Sequence, residues 1–394
     1  MNERFPWAAL LTLAALIFLN ITSEFLPTGL LPDIAAELQV SESQVGFLVT
    51  LYAGTVVLTA APLTALTRHY SRKWLVVIVL IVFAAANVLA AIAPSYELLA
   101  AARVLGGLAH GLFWAVVSAY AVHLVPAHQV GRAVAITNGG GTAALILGVP
   151  LATALGHALD WRLAFAVVAG AIVVFTLVTV RYLPAVEHRE KLATGEIPLP
   201  LRRDRTIAPV ALLCGVVLVV MLAHFTLYTY IAPYLVGPMG FAPDAVAGML
   251  FVYGGAGAVG LVLAGITADR FPRSGFIVAL GVMVLAVLGL ALLPGSPWLA
   301  IPLLVLWAIA FGGAPAMLQT QLLRTASPRI RDVAAAALTT AFNVGIGGGA
   351  LLGGVLLDRV GIIALPLTDA ALTVLGIAIA VVGGALLHRS RAPR

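Results

Sequence analysis

Long apolar stretches recur along this chain, and short segments that hold most of its charged residues separate them. Each stretch is close to the ~20 residues that cross a hydrocarbon layer of ~30 Å as an α-helix. The pattern predicts an all-α polytopic membrane protein with twelve transmembrane helices. The predicted spans are residues 7–29, 44–66, 74–94, 98–121, 132–157, 162–183, 208–234, 243–266, 275–293, 297–322, 333–357 and 367–388.

The composition argues against a soluble protein, and the absence of catalytic motifs argues against an enzyme. Of 394 residues, 62% are hydrophobic and 10% are charged, against roughly 25% charged in a typical soluble domain. The eight histidines are dispersed, and the sequence has no Cys–His or Ser–His–Asp spacing and no phosphate-binding loop. The sequence therefore predicts no enzymatic activity, no metal and no cofactor.

Basic residues fix the expected orientation. All but three of the 22 Lys and Arg residues fall in segments that are cytoplasmic if the chain starts inside. Arg162 and Arg359 lie outside, and Arg103 lies within the fourth span. The protein is therefore expected in a bacterial inner membrane, with both termini on the cytoplasmic side. The net charge of +6 then follows from this bias and suits contact with anionic lipid headgroups. No nucleic-acid partner is needed to explain it.

The spans fall into two halves of six. A charged, proline-bearing segment from Glu187 to Arg205 separates them, which predicts an N-terminal bundle of residues 1–183, a cytoplasmic linker of residues 184–207 and a C-terminal bundle of residues 208–394. The halves repeat at an offset of 201, which places Tyr52 on Tyr253. Such a duplication favours a ligand site between the bundles and alternating access by rocking. Kinks are predicted at Pro27, Pro150, Pro233 and Pro315.

One acid stands out by position. Glu24 lies inside the first span, whereas the other fifteen Asp and Glu residues fall in connecting segments or at span ends. A carboxylate in the hydrocarbon region costs several kcal/mol unless it is paired, solvated or protonated. Helical rise places Glu24 and Arg103 at similar depth, so an ion pair that breaks on protonation is one prediction. The alternative is a static pair that only fixes helix packing.

The fourth span carries a polar and aromatic stripe. Arg103, Gly107, His110, Trp114 and Ser118 are spaced so that they share about 80° of one helical face. The stripe is expected to face water or ligand, and His110 could relay protons or serve only as a hydrogen-bonded packing residue.

Uncharged polar and aromatic residues in other spans suggest the ligand. They suit a neutral or weakly charged polar molecule, although each could instead join one helix to another. The predicted substrate-cavity residues are Asn20, Trp114, Asn138, His224, Tyr228, Gln319 and Asn343.

Three motifs resemble the major facilitator superfamily. The segment GITADRFPR, Gly265 to Arg273, is similar to the family's loop motif between its eighth and ninth spans, and the first-half copy keeps Arg72 but has Arg68 in place of the acid. RVLGG in the fourth span and GGGTAALILGVP in the fifth are similar to motifs of proton-coupled antiporters. The resemblance implies the major facilitator fold and a cytoplasmic gating loop. That loop would comprise Arg72, Asp269, Arg270 and Arg273.

Within that superfamily, ITSEFLPTGLLPDIA is most similar to the bacterial sugar-efflux, purine-nucleoside-efflux and chloramphenicol-efflux exporters, in the branch of drug:proton antiporters and sugar-efflux proteins. The resemblance implies a proton-coupled exporter of a drug, sugar or nucleoside, with protons and lipids as partners. Such a transporter is expected to act as a monomer. The alternative is a facilitator or importer of a small polar solute with no proton cycle.

Overall fold

The computed structural model describes residues 5–67, 69–126, 129–184, 204–267, 270–271 and 274–389. Twelve helices in this part of the chain are long and apolar enough to cross a membrane, which confirms the predicted all-α architecture. The helices are α1 (Trp7–Gly29), α2 (Leu31–Leu38), α3 (Glu42–Thr67), α4 (Arg72–Ala91), α5 (Tyr96–His123), α6 (Val130–Ala143), a π-helix (Ala144–Gly148), α7 (Val149–Ala158), α8 (Trp161–Tyr182), α9 (Ile207–Tyr228), α10 (Ile231–Val236), α11 (Ala245–Thr267), α12 (Ser274–Leu292), α13 (Pro297–Gly312), α14 (Ala314–Thr325), α15 (Arg331–Arg359) and α16 (Ala364–Arg389).

Several helix breaks lie beside prolines. The predicted seventh span, residues 208–234, is two helices, because α9 ends at Tyr228 and α10 begins at Ile231. Pro233 has no N–H to donate to the carbonyl of Thr229, so the helix does not continue smoothly through this turn. Pro150 stands in the first turn of α7, and Pro315 stands in the first turn of α14.

The chain divides into two compact units. One consists of Met1–Glu190 together with Ala242–Gly254, and the other consists of Lys191–Phe241 and Gly255–Arg394. The first half of α11 thus groups with the amino-terminal helices. Most of the expected linker, residues 185–203, lies outside the described residues.

In the first unit, α1 packs closely against the fifth span because that span presents glycines to it. A Cβ built on Gly140 would lie 1.9 Å from the main-chain oxygen of Ala14, and one on Gly148 would lie 2.0 Å from Oγ1 of Thr22. Small residues permit such approach between membrane helices. The glycine-rich motif therefore brings the backbones of α1 and α6 together.

Gly140→Ala is expected to destabilise the protein, whereas Gly139→Ala is not. The new methyl at position 140 would meet main-chain atoms that cannot move alone, and such overpacking costs roughly 1–3 kcal/mol. A Cβ at Gly139 meets nothing within 4 Å, so there alanine should be neutral or should add up to about 1 kcal/mol of helix propensity. Thermal unfolding in detergent checks the pair. Equal melting temperatures for the two variants would contradict the tight α1–α6 contact.

The second unit repeats this packing between α9 and α15. A Cβ on Gly349 would lie 2.6 Å from the main-chain oxygen of Leu222, and one on Gly353 would lie 2.5 Å from that of Thr226. The first span of each unit therefore packs on a glycine face of the fifth. This arrangement fixes the positions of Glu24 on α1 and His224 on α9.

A polar cluster ties the start of α9 to the connection between α14 and α15. Asp204 accepts hydrogen bonds from Ser327 Oγ at 2.6 Å and from Thr206 Oγ1 at 2.6 Å. These bonds lower the pKa of Asp204 to about 2, and the hydrogen bond from Ser327 has the largest effect. Because the folded pKa is depressed, the stabilisation is complete above the unfolded pKa of about 4. It is lost only as the pH falls towards 2.

Candidate functional site

The last turns of α1 contain a carbonyl that the helix itself cannot satisfy. In a regular helix Ser23 O would accept from the N–H of residue 27, but Pro27 has none. Arg103 on α5 supplies the donor, because its Nη1 lies 3.0 Å from Ser23 O. Its Nη2 donates to Glu24 O at 2.8 Å. We call this pair of hydrogen bonds the Arg103 clasp.

The clasp corrects the predicted pairing of Glu24 with Arg103. The two residues do meet, as their depths indicated, but the guanidinium bonds the main-chain oxygen of Glu24 and not its carboxylate. The reason is the proline, which leaves an acceptor that competes for the donors of Arg103. The Glu24 carboxylate instead faces His110, whose Nδ1 lies 3.8 Å from Oε2. All three side chains are buried.

Aromatic and polar neighbours complete the cluster around Glu24. The guanidinium carbon of Arg103 stands 4.2 Å from the centroid of the Tyr52 ring, which also meets the His110 ring edge-on at 5.2 Å. Ser23 Oγ donates to Asn87 Oδ1 at 2.7 Å. Tyr52, Ser23 and Asn87 were not among the predicted site residues. The repeat of Tyr52 at Tyr253 was a signal for Tyr52 alone.

A small cavity adjoins this cluster. It has room for about one water-sized molecule. Its lining residues are Ser23, Tyr52, Phe83, Ala86, Asn87, Ala90, Ala102, Arg103, Gly106 and Phe165. The buried Arg103 Nε and Tyr52 Oη form no hydrogen bond with the described residues. Buried donors are normally paired, so these two groups are unusual.

The rest of the stripe on α5 has mixed roles. Trp114 is partly exposed and meets the His110 ring at 6.2 Å. Gly107 lies against α3, since a Cβ there would be 2.7 Å from Tyr52 O. The side chain of Ser118 lies outside the described residues.

The second unit contains an aromatic cluster around His224. Its ring stacks on Phe311 with centroids 3.4 Å apart and planes 2° apart, and on Tyr228 with centroids 5.2 Å apart. Trp307 stands 5.0 Å away. The sequence predicted His224 and Tyr228 but missed Trp307 and Phe311, because aromatic residues in an apolar helix give no distinct signal.

The other predicted cavity residues are dispersed. Asn20 is buried, and neither atom of its amide is hydrogen-bonded within the described part of the chain. Asn343 donates to Thr339 O of its own helix at 3.0 Å. The side chains of Asn138 and Gln319 are exposed.

Only part of the expected gating loop can be described. Arg72 begins α4, and its buried Nε forms no hydrogen bond with described residues. Arg270 is exposed beside Phe271. Asp269 and Arg273 lie outside the described residues, so the cytoplasmic gating loop remains a prediction.

Glu24 is not the only acid buried in a span. Asp369, which the sequence placed at the edge of the twelfth span, is fully buried. The prediction failed because α16 begins at Ala364, before the apolar window, so Asp369 stands deeper in the helix than the hydropathy pattern indicated.

Comparisons with known proteins agree with this architecture. The sequence model described as Major Facilitator Superfamily matches residues 13–350. A probable sugar efflux transporter of Helicobacter pylori (strain G27) is 32% identical over 354 residues, which cover 89% of this chain and 88% of that protein. The probable sugar efflux transporter of Helicobacter acinonychis (strain Sheeba) is also 32% identical, with the same coverage.

Solved structures show the same fold. A bacterial homolog to the human lysosomal transporter Spinster, in an inward-facing and occupied conformation, aligns with a TM-score of 0.74 at 17% identity, over 98% of this chain and 97% of that one. The nucleoside transporter NupG aligns with a TM-score of 0.72 at 14% identity, over 95% and 99%. At these identities the likeness concerns the fold alone.

Proposed function

Because this chain belongs to the Major Facilitator Superfamily and is a multi-pass membrane transporter, not an enzyme, we propose that it exports a small neutral organic solute in exchange for protons. The names of the relatives point to a sugar as the substrate. One observation carries the proton coupling. Glu24 is buried within a membrane span, and its carboxylate faces the imidazole of His110 at 3.8 Å, while the guanidinium of Arg103 is hydrogen-bonded to main-chain oxygens.

The geometry suggests how the proton acts. In the protonated form, Glu24 is neutral and the Arg103 clasp holds the broken turn of α1. When the carboxyl loses its proton, the new negative charge competes with the two main-chain oxygens for the guanidinium, because charge-assisted hydrogen bonds are the stronger. Movement of Arg103 to the carboxylate then releases Ser23 O. The proton thereby controls whether the end of α1 is held by α5.

His110 is suited to deliver that proton. Its Nδ1 faces Glu24 at 3.8 Å, and the rings of Tyr52 and Trp114 flank it. An imidazole that meets a carboxyl in a water-poor interior can pass a proton with little movement. Export requires that the cytoplasmic side be the one from which substrate is taken. The names of the relatives support this direction, and the basic residues support a chain with both termini on the cytoplasmic side of a bacterial inner membrane.

The aromatic cluster of the second unit supports a neutral substrate. Sugar rings present C–H faces that pack on aromatic rings, and the hydroxyls need uncharged donors and acceptors. Phe311 is partly exposed and stacks on His224. We therefore assign Phe311 to the substrate site, with His224 and Tyr228 beside it.

Phe311→Ala is expected to raise the KM for the transported sugar about three- to tenfold, which corresponds to the loss of one aromatic packing contact. Proton coupling should persist, since Phe311 belongs to the other compact unit and is not a member of the Glu24 cluster. Trp298→Ala is the matched control. Trp298 is an aromatic residue at the other end of the same helix, and 84% of its surface is exposed. Equal KM values for the two variants would remove Phe311 from the substrate site.

Proteoliposomes test the proposed function directly. Purified protein is reconstituted into vesicles, and labelled monosaccharides, nucleosides or an amphenicol antibiotic are supplied in turn in the external buffer. An imposed pH gradient should drive accumulation of monosaccharide against its gradient. Downhill equilibration that ignores the pH gradient would mean a facilitator instead, and accumulation of an amphenicol alone would replace the sugar by a drug.

A further inference from the structure

Asp369 is a second buried acid, and the account of Glu24 does not use it. It stands five residues after the start of α16 at Ala364, or about 8 Å along the helix. Its accessible surface is 0%. It belongs to the other compact unit from Glu24.

One oxygen of the Asp369 carboxyl has a dedicated donor. Thr373 Oγ1 donates to Asp369 Oδ1 at 3.1 Å. Many threonine hydroxyls in the described helices donate to the carbonyl four residues earlier, as Thr226 does to Leu222 O and Thr229 to Phe225 O. Thr373 is fully buried and yet bonds a side chain. Its hydroxyl therefore recognises the carboxyl.

The other oxygen, Oδ2, is buried and forms no hydrogen bond with the described residues. An acid with a purely structural role normally has both oxygens satisfied. No basic side chain in the described ranges forms an ion pair with Asp369.

The helices around Asp369 offer little to balance a charge. α16 packs against α9, α12 and α15. α12 has no titratable residue. Asp358 and Arg359, at the C-terminal end of α15, are exposed. The remaining titratable residues of these helices and of α16 itself are Cys214, His224, Tyr228, Arg331, Asp332, His388 and Arg389. An unbalanced buried carboxylate is so unfavourable that the group must hold a proton in this conformation.

We propose that Asp369 is a second proton-binding carboxyl of the transport cycle, so that two protons, one on Glu24 and one on Asp369, are exchanged for each substrate molecule. This inference rests on the proposed function. α16 packs on α9, the helix that carries His224 and Tyr228. A movement of α9 on substrate binding would therefore change the surroundings of Asp369. Water that reaches Oδ2 in another conformation would allow the proton to leave.

The substrate gradient that a fixed pH gradient sustains measures the number of protons. With the membrane potential clamped at zero, one pH unit supports about a 100-fold substrate gradient for two protons and about a tenfold gradient for one. The wild type should reach the larger value and Asp369→Asn the smaller. Asp358→Asn, which changes an exposed acid, should behave as the wild type.

The outcomes separate this inference from the proposed function. A wild type that accumulates no substrate would contradict both the proposed function and this inference. A wild type at tenfold, or an Asp369→Asn variant still at 100-fold, would overturn the second site alone. Should Asp369→Asn fail to fold, infrared spectra of wild-type protein with ¹³C-labelled aspartate test whether Asp369 is protonated. We expect a protonated carboxyl band at neutral pH, and this band should shift in Thr373→Val. The absence of that band would overturn the inference.

Discussion

Glu24→Gln is expected to abolish proton-driven accumulation of the substrate while substrate exchange across the membrane continues. Glutamine has nearly the same shape as the protonated acid, so the variant keeps α1 and the Arg103 clasp as they are. It cannot lose a proton, so the guanidinium never leaves Ser23 O. Counterflow of labelled against unlabelled sugar and pH-driven uptake, both in proteoliposomes, provide the two measurements.

The matched control for this variant is Glu97→Gln. Glu97 is an exposed acid in the first turn of α5, so the substitution removes the same charge from the same unit without touching the cluster. Its coupling should equal that of the wild type. A Glu24→Gln protein that concentrates substrate as well as the control does would remove Glu24 from the coupling mechanism.

Arg103→Ala is expected to lower the stability of the protein by about 1.5–3 kcal/mol, because Ser23 O is then left without a donor in a buried position. The size of this loss should depend on residue 27. In a Pro27→Ala background, the restored N–H can donate to Ser23 O within the helix. The same Arg103→Ala change should then cost about 1 kcal/mol less.

A double-mutant cycle measures this coupling. The four proteins are the wild type, the two single variants and the double variant, and the observable is thermal unfolding in detergent. Strictly additive changes in stability would mean that Arg103 does not replace the donor that Pro27 lacks. pH-driven transport should be lost in both Arg103→Ala proteins, since neither has a cation to respond to Glu24.

The fold could be derived from the sequence because its main signals are local. Twelve apolar windows of bilayer length need no tertiary information, and the structure contains all twelve. The seventh window extended too far because α9, the break near Tyr230 and α10 are all apolar. Asp369 was placed too near the surface for a related reason. A hydropathy window marks the apolar residues of a helix, whereas the helix itself begins earlier.

The site was less predictable because it depends on main-chain groups. Depth indicated that Glu24 and Arg103 meet, as they do, but the contact between Glu24 and His110 was not predicted. Depth alone gave no means of choosing between the carboxylate of Glu24 and the carbonyl that Pro27 leaves free. Asn87 and Phe311 were missed because single polar or aromatic residues are common in apolar helices. Their roles follow only from which helices pack together.

The most direct test of proton exchange through Glu24 follows protons while the substrate supplies the energy. Vesicles that contain the protein and a pH dye are loaded with sugar and diluted into sugar-free buffer at equal pH. Efflux of sugar should draw protons inward and acidify the lumen, and Glu24→Gln vesicles should show no acidification. A lumen that stays at constant pH, or becomes alkaline, during sugar efflux from wild-type vesicles would contradict the account.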